Sequence, residues 1–366
     1  MKKFILLIIF LFFNPFVFAQ YIGVVCLGES EYVQKITMDL DGNIQIGELY
    51  PSGYYPRRVD ITDKGLVVVC NEGYYYSLYL TLSVLRIDIK GNINKIRDYD
   101  LSGYSVEVKN TKDNKYCLVT HEVENNPQYE WGITVLELME NDINPYKRQF
   151  FPDETVGELA ISGTGLVFGL ESRYVQILQM DSDGVLTDTG QLIDIGDTGN
   201  GEVEVAPDNK YAYVTNDSGS ASGLVVLEID ENNNVTKKGR ATGSSMQGCG
   251  ELIVSKDSKT VLLIGIQGME VYNVQANGDV VFNGQYFWLP LAQSAAMTPD
   301  GKFVVIAYDY RLEQEGLLST LAVFKMNSDG TVTNLNKDVT LENLPGEMKF
   351  YQLPTPSVDI DWQMYE

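Results

Sequence analysis

GEVEVAPDNKYAYVTNDSGSASGLVVLEIDENNNVTKKG, residues 201–239, reads as four short strands. Glu202 to Ala206 alternates polar and apolar residues, and Pro207-Asp208-Asn209 makes a turn. Lys210 to Thr215 and Gly223 to Ile229 are the second and third strands, and the polar turn Asp230 to Asn234 leads into the fourth. Period-two alternation between turn clusters is the signature of half-buried strands. A lone meander of this length leaves apolar faces in water, so it requires neighbours like itself.

The rest of the chain supplies them. The turn after the first strand recurs as Asp63-Lys64-Gly65, Lys112-Asp113-Asn114, Ser162-Gly163-Thr164, Asp208-Asn209-Lys210, Asp257-Ser258-Lys259 and Pro299-Asp300-Gly301. A spacing of roughly 43–50 residues is the period of a propeller blade, not of a helical or leucine-rich repeat. YVQKITMDLDG at 32–42, YVQILQMDSDG at 174–184 and LAVFKMNSDG at 321–330 are copies of a third strand running into its hairpin turn. The expected fold is all-β: a seven-bladed β-propeller of four-stranded blades, one domain over residues 20–366. Complete blades fall near 56–100, 104–149, 156–193, 201–239, 250–286 and 293–340, while residues 20–50 provide only three strands. Ser357-Val358-Asp359-Ile360-Asp361 resembles Arg58-Val59-Asp60-Ile61-Thr62, the first strand of the next blade. The segment Ser357 to Trp362 is therefore expected to pair with Tyr21 to Leu27 and close the ring, which removes exposed sheet edges.

Met1 to Ala19 joins two lysines, an apolar run and the small residues Val17 and Ala19 ahead of a cleavage point. It reads as a signal peptide; the run of about 16 residues, broken by Asn14-Pro15, is short for a membrane span. We expect a secreted or periplasmic protein with no membrane span once residues 1–19 are removed. Losing Lys2 and Lys3 takes the net charge from −23 to −25. Charge of that sign argues against nucleic acid or an anionic membrane as partner and keeps a chain soluble, and we expect a monomer. Cys26, Cys70, Cys117 and Cys249 have no metal-site spacing. Export permits a disulfide, and Cys26 and Cys70 occupy matching positions of neighbouring blades; buried free thiols are the other reading.

Three blades carry long segments between their second and third strands: NEGYYYSLYL at 71–80, HEVENNPQYEW at 121–131 and DYRLEQEGLLST at 309–320. These insertions emerge on one face of a propeller, and insertions on one face of a repeat array often form the binding face. Tyr74, Tyr75 and Arg311 are the ligand-contact residues expected there, for a small molecule, a cation or a protein. The Asp-Gly turns on the other face, such as Asp41-Gly42 and Asp183-Gly184, lack the remaining ligands of a calcium loop and read as hairpin turns.

Tyr213-Val214-Thr215-Asn216, the turns Pro207 to Lys210 and Pro299 to Lys302, and the Asp-Gly turns resemble the YVTN-type, lactonase-like seven-bladed propellers over nearly the whole chain after residue 19. That group includes bacterial 6-phosphogluconolactonases, carboxymuconate cyclases and non-enzymatic surface proteins. The shared motifs are structural, so the resemblance implies the fold before any activity. Enzymes of the group use histidine, arginine and glutamate on the central face, whereas this chain has a single histidine, His121.

Stacking the blades on their turns exposes a column. Arg58, Glu107, Glu158, Glu202, Glu251 and Ser294 stand at one position of the first strand, with Ser357 in the expected closing strand. Their neighbours Val59 and Ile61, Leu159 and Ile161, or Val203 and Val205 are apolar and pack between blades, so alternation turns the column elsewhere. The first strand is innermost in a propeller, which puts these carboxylates around the mouth of the central channel. The position two residues on reads Asp60, Lys109, Ala160, Glu204, Ile253, Ala296 and Asp359, without a pattern. Two functions follow. One is an exported binding propeller whose Glu107, Glu158, Glu202 and Glu251 hold a cation, Ca²⁺ or Mg²⁺ suiting hard carboxylate oxygens. The other is a lactonase-like hydrolase of a sugar lactone or related cyclic ester. There Glu158 or Glu202 is the general base, Arg58 or Arg173 stabilises the oxyanion, and His121 is the one histidine for a triad. Arginine and histidine beside a glutamate favour the hydrolase; glutamates facing only each other favour the cation.

Overall fold

The computed structural model describes residues 20–354 except 29, 73–80, 102–103, 126–127, 151–155, 171–172, 197–200, 217–222, 242–245, 247–248, 313–315 and 342. The expected signal segment and residues 355–366 lie outside the described residues, as do Tyr74 and Tyr75.

Each repeat forms one antiparallel sheet, and there are seven. The innermost strands are Pro56–Ile61, Tyr104–Asn110, Glu158–Ile161, Val203–Val205, Cys249–Val254 and Ser294–Met297 in blades 2 to 7, and Pro345–Gln352 in blade 1. Each packs against its counterparts in the two adjacent sheets, and the series of contacts returns to its start, which makes a ring. Blade 7 breaks its outer strand into Val332–Asn334 and Val339–Leu341, both against Gly316–Met326.

Pro345–Gln352 corrects the expected closure. It pairs with Tyr21–Leu27 in the register Tyr21↔Gln352 to Leu27↔Pro345, with a bulge between Val25 and Leu27. Tyr32–Met38 takes the other edge of Tyr21–Leu27, so no edge remains there for Ser357 to Trp362. The reason is packing. Met348 and Phe350 join the apolar layer facing blade 7, and Tyr351 joins the layer facing blade 2, so one strand seals both seams.

Seven apolar layers lie between adjacent blades rather than in one centre. Second strands such as Leu66–Asn71 and Thr260–Gly265 are buried along their whole length because both faces meet a neighbouring blade. Sheets covered on both sides read as continuous apolar runs, as these do.

The recurring turn is a backbone device. The residue whose N–H closes the turn has positive φ in every copy: Gly65 (81°), Asn114 (55°), Gly165 (84°), Asn209 (58°), Ser258 (59°) and Gly301 (77°). Glycine and asparagine tolerate this left-handed conformation; serine does so at a cost. The non-glycine copies also clasp the preceding blade. Asn114 Oδ1 accepts from Asp63 N at 3.0 Å, Asn209 Oδ1 from Gly163 N at 2.6 Å, and Ser258 Oγ from Asp208 N at 3.0 Å. On the same face, Asp39 Oδ1 accepts from Asp41 N and Asn43 N, and Asp88, Asp181 and Asp230 repeat the pattern, so these turn carboxylates are spent on their own hairpins.

Two of the expected insertion loops are extended strands. Tyr116–Asn125 pairs with Gln128–Leu138 out to Asn125↔Gln128, and Phe303–Leu312 pairs with Gly316–Met326 out to Leu312↔Gly316. Arg311 is on the second of these hairpins, and its side chain lies outside the described residues. Cys26, Cys70 and Cys117 are buried free thiols. Among the described residues no helix is long and apolar enough to cross a membrane.

Candidate functional site

In blades 2 to 7 each inner strand ends three residues after one common level. At that level stand Arg58, Glu107, Glu158, Glu202, Glu251 and Ser294, counted back from Thr62, Thr111, Ser162, Ala206, Ser255 and Thr298, whose carbonyls accept the turn hydrogen bond. Blade 1 contributes Glu347 in place of the expected Ser357, because Met348 pairs with Val25 as Val59 pairs with Val69. The next layer is Asp60, Lys109, Ala160, Glu204, Ile253, Ala296 and, instead of Asp359, Lys349.

The side chains meet across blades. Arg58 Nη2 donates to Glu158 Oε1 at 2.5 Å, reaching past blade 3, and its Nε stands 3.5 Å from Glu107 Oε2. Lys109 Nζ lies 3.6 Å from Glu107 Oε1 and 3.5 Å from Glu347 Oε1, reaching past blade 2. Lys349 Nζ is 3.2 Å from the same Glu347 oxygen, and Val59 N donates to the other at 2.9 Å. Three cations thus join blades 1 to 4 into one network. Among the described residues Glu202, Glu204 and Glu251, on blades 5 and 6, take part in no ion pair.

This asymmetry separates the carboxyls. Burial alone raises a carboxyl, but Lys349, Lys109 and Arg58 outweigh it at Glu347 and bring it down to about 2. At Glu251 burial dominates, Glu347 adds repulsion, and the carboxyl rises to about 7. Burial and then the Glu251 charge push Glu202 well above the ordinary range. Glu107 rises as well, through burial that Lys109 only partly offsets. At the level of the glutamate column Arg58 and Glu158 are the open members, with side chains 21% and 16% exposed, against 1% for Glu107 and Glu347.

Of the residues singled out in the sequence, Arg58, Glu107, Glu158, Glu202 and Glu251 share this ring. Arg173 does not: its guanidinium pairs with Asp194 at 2.8 Å, on the outermost strand of blade 4. His121 is fully buried within its strand, its Nε2 2.7 Å from Thr134 Oγ1, not at a loop edge. Among the described residues no group of three or more histidine, cysteine, aspartate or glutamate side chains is gathered closely enough to hold a metal ion. Sequence reasoning missed Glu347, Lys109 and Lys349 as ring members. Gly346-Glu347 repeats the Gly-Glu pair of Gly157-Glu158, Gly201-Glu202 and Gly250-Glu251, and that repeat was the available signal.

Fold and ring together define a seven-bladed β-propeller whose innermost strands carry a ring of charged side chains. Solved structures of the same fold include the periplasmic gluconolactonase PpgL of Pseudomonas aeruginosa, with TM-score 0.72 and 17% identity over 91% of this chain and 99% of that one. A putative 6-phosphogluconolactonase of Bacteroides uniformis gives TM-score 0.72 and 15% identity over 90% and 99%. A functionally unknown protein of Desulfotomaculum acetoxidans gives 0.69 and 20% over 91% and 99%. Identities this low establish the shared fold alone. No family model matches the chain, and no curated protein does.

Proposed function

We propose that the protein is a lactonase-like hydrolase acting on a sugar lactone or related cyclic ester at the mouth of its central channel. The observation that carries this reading is Arg58 beside Glu158, a cation and a carboxylate that are hydrogen-bonded and more open than Glu107 and Glu347 at the same level of the ring. The gluconolactonase names of two structural neighbours support it. In this reading Glu158 takes a proton from water as the water oxygen attacks the lactone carbonyl carbon. The protonated carboxyl loosens its hold on Arg58, whose guanidinium then faces the oxyanion. Collapse breaks the bond from that carbon to the ring oxygen, Glu158 returns the proton to the departing alkoxide, and a free hydroxy acid leaves. Phosphorylated lactones fit poorly, because the three channel cations already have carboxylate partners and the unpaired groups are acidic.

The test is hydrolysis of D-glucono-1,5-lactone and other sugar lactones above the buffer rate. Glu158→Gln is expected to lower kcat by roughly 10²–10⁴-fold, the share of a general base. A panel of sugar lactones that all decay at the buffer rate ends this reading and leaves the exported binding propeller, with a cation, small-molecule or protein ligand.

A further inference from the structure

The unpaired arc of the ring suggests what the substrate carries. Glu202 and Glu251 sit at the same level on adjacent blades, with Glu204 one layer below and Ser294 on the next blade. The residues Glu202, Glu251 and Ser294 are 7%, 4% and 2% exposed. Glu202 Oε2 and Ser294 Oγ have no hydrogen-bond partner, although buried polar atoms in native proteins nearly always find one. The cations of the channel lie on the other side, committed to Glu107, Glu158 and Glu347. Next to Glu251 in the chain, a side chain at Gly250 would meet nothing within 4 Å.

We infer that the arc of Glu202, Glu251 and Ser294 is a recognition site for a protonated primary amine, so that the lactone of the preceding section is one derived from an amino sugar. An ammonium has three donors and no acceptor. It answers a carboxylate oxygen and a hydroxyl that lack partners and a second carboxylate without an ion pair, and it relieves the repulsion between the carboxylates. A metal ion would need several oxygens converging at short range, which the arc does not gather. A neutral hydroxyl would not offset the repulsion between the two carboxylates when both are ionised. Blade 4, which carries Glu158, adjoins blade 5, which carries Glu202, so an amine beside the lactone carbonyl matches the order of groups around the ring.

The substrate assignment rests on the hydrolase reading, and two measurements separate them. The first is the thermal shift of the full chain with millimolar D-glucosamine, D-glucose, Ca²⁺ or Mg²⁺. Glucosamine is expected to raise Tm and glucose to leave it unchanged. Glu202→Gln, Glu251→Gln and Ser294→Ala should each reduce the glucosamine shift; the Gln variants are near-isosteric and remove repulsion, and their own melting curves report folding. The second is the ratio of kcat/KM for 2-amino-2-deoxy-D-glucono-1,5-lactone over D-glucono-1,5-lactone. A lost hydrogen bond to a charged group corresponds to roughly 10- to 100-fold, and Glu202→Gln should shrink the ratio by that factor. A glucosamine-specific shift with no hydrolysis of either lactone upholds the amine site and sinks the hydrolase. Equal shifts for both sugars, no shift, or a shift with the metal ions alone overturns the amine site, as does equal turnover of the two lactones.

Discussion

At the scale of single residues, Glu251 makes the pH dependence testable. Its carboxyl rises to about 7 in the folded chain, so between the ordinary carboxylate range and that value the folded state holds a proton that the unfolded state has lost. Stability at this site therefore falls as pH rises through that window. Glu347, held down to about 2, acts in the opposite sense, with stability present above the ordinary range and lost as pH falls toward 2. The Tm of Glu251→Gln should exceed that of the parent at about pH 8 and converge with it near about pH 5; a constant offset across that range would contradict the assignment. Ser258 offers a second test. It alone among the recurring turns puts a residue other than glycine or asparagine at positive φ. Ser258→Asn keeps an acceptor for Asp208 N and suits the left-handed backbone, so it should stabilise by about 0.5–1 kcal/mol in denaturant titration, and a loss would show that the clasp depends on the shorter side chain. The ring positions of blades 2 to 7 were legible in the sequence because they lie a fixed distance before a recognisable turn. The ion pairs were not, since nothing in the local pattern reveals that Arg58 reaches a blade beyond its neighbour or that lysines enter from the layer below.

At the scale of elements, the closing strand separates what pattern shows from what packing decides. The six-fold turn and the copies of the third strand made the blade repeat readable. The seventh inner strand leads into no such turn, because its partner lies at the other end of the chain, and a likeness to Arg58 to Thr62 pointed downstream of the strand that packs. PGEMKFYQ at 345–352 has its apolar residues placed for two seams at once, a property visible only when both neighbours are in place. Met348 is fully buried in the seam with blade 7, and Met348→Ala is expected to cost about 2–5 kcal/mol, read as a lowered denaturation midpoint. A midpoint within error of the parent would mean that this strand does not hold the ring shut. The long hairpins of blades 3 and 7 were readable as insertions but not as strands, because HEVENNPQYEW and DYRLEQEGLLST carry too many polar residues for a clean alternation.

At the scale of the whole molecule, the ring has neighbouring ends. Leu353 N donates to Gln20 O at 2.8 Å, so the two ends of the described chain meet beside the same strand. A circular permutant with Pro354 joined to Gln20 through a short glycine linker, opened within the exposed residues Asp181 to Asp183, should keep the β-sheet circular dichroism signal and melt in a single transition. A permutant without that signal would show that blade 1 must be assembled from two ends of the chain. The shared blade also sets the order of assembly. Tyr21–Leu27 is buried along its whole length, yet its inner partner lies more than three hundred residues downstream. During synthesis this apolar strand waits with one edge open until nearly the entire chain has left the ribosome, and contacts so distant in sequence are slow to form. The nascent chain is therefore most at risk of aggregation at its first folded residues rather than its last, and a chaperone that covers Tyr21–Leu27 would shorten that exposure.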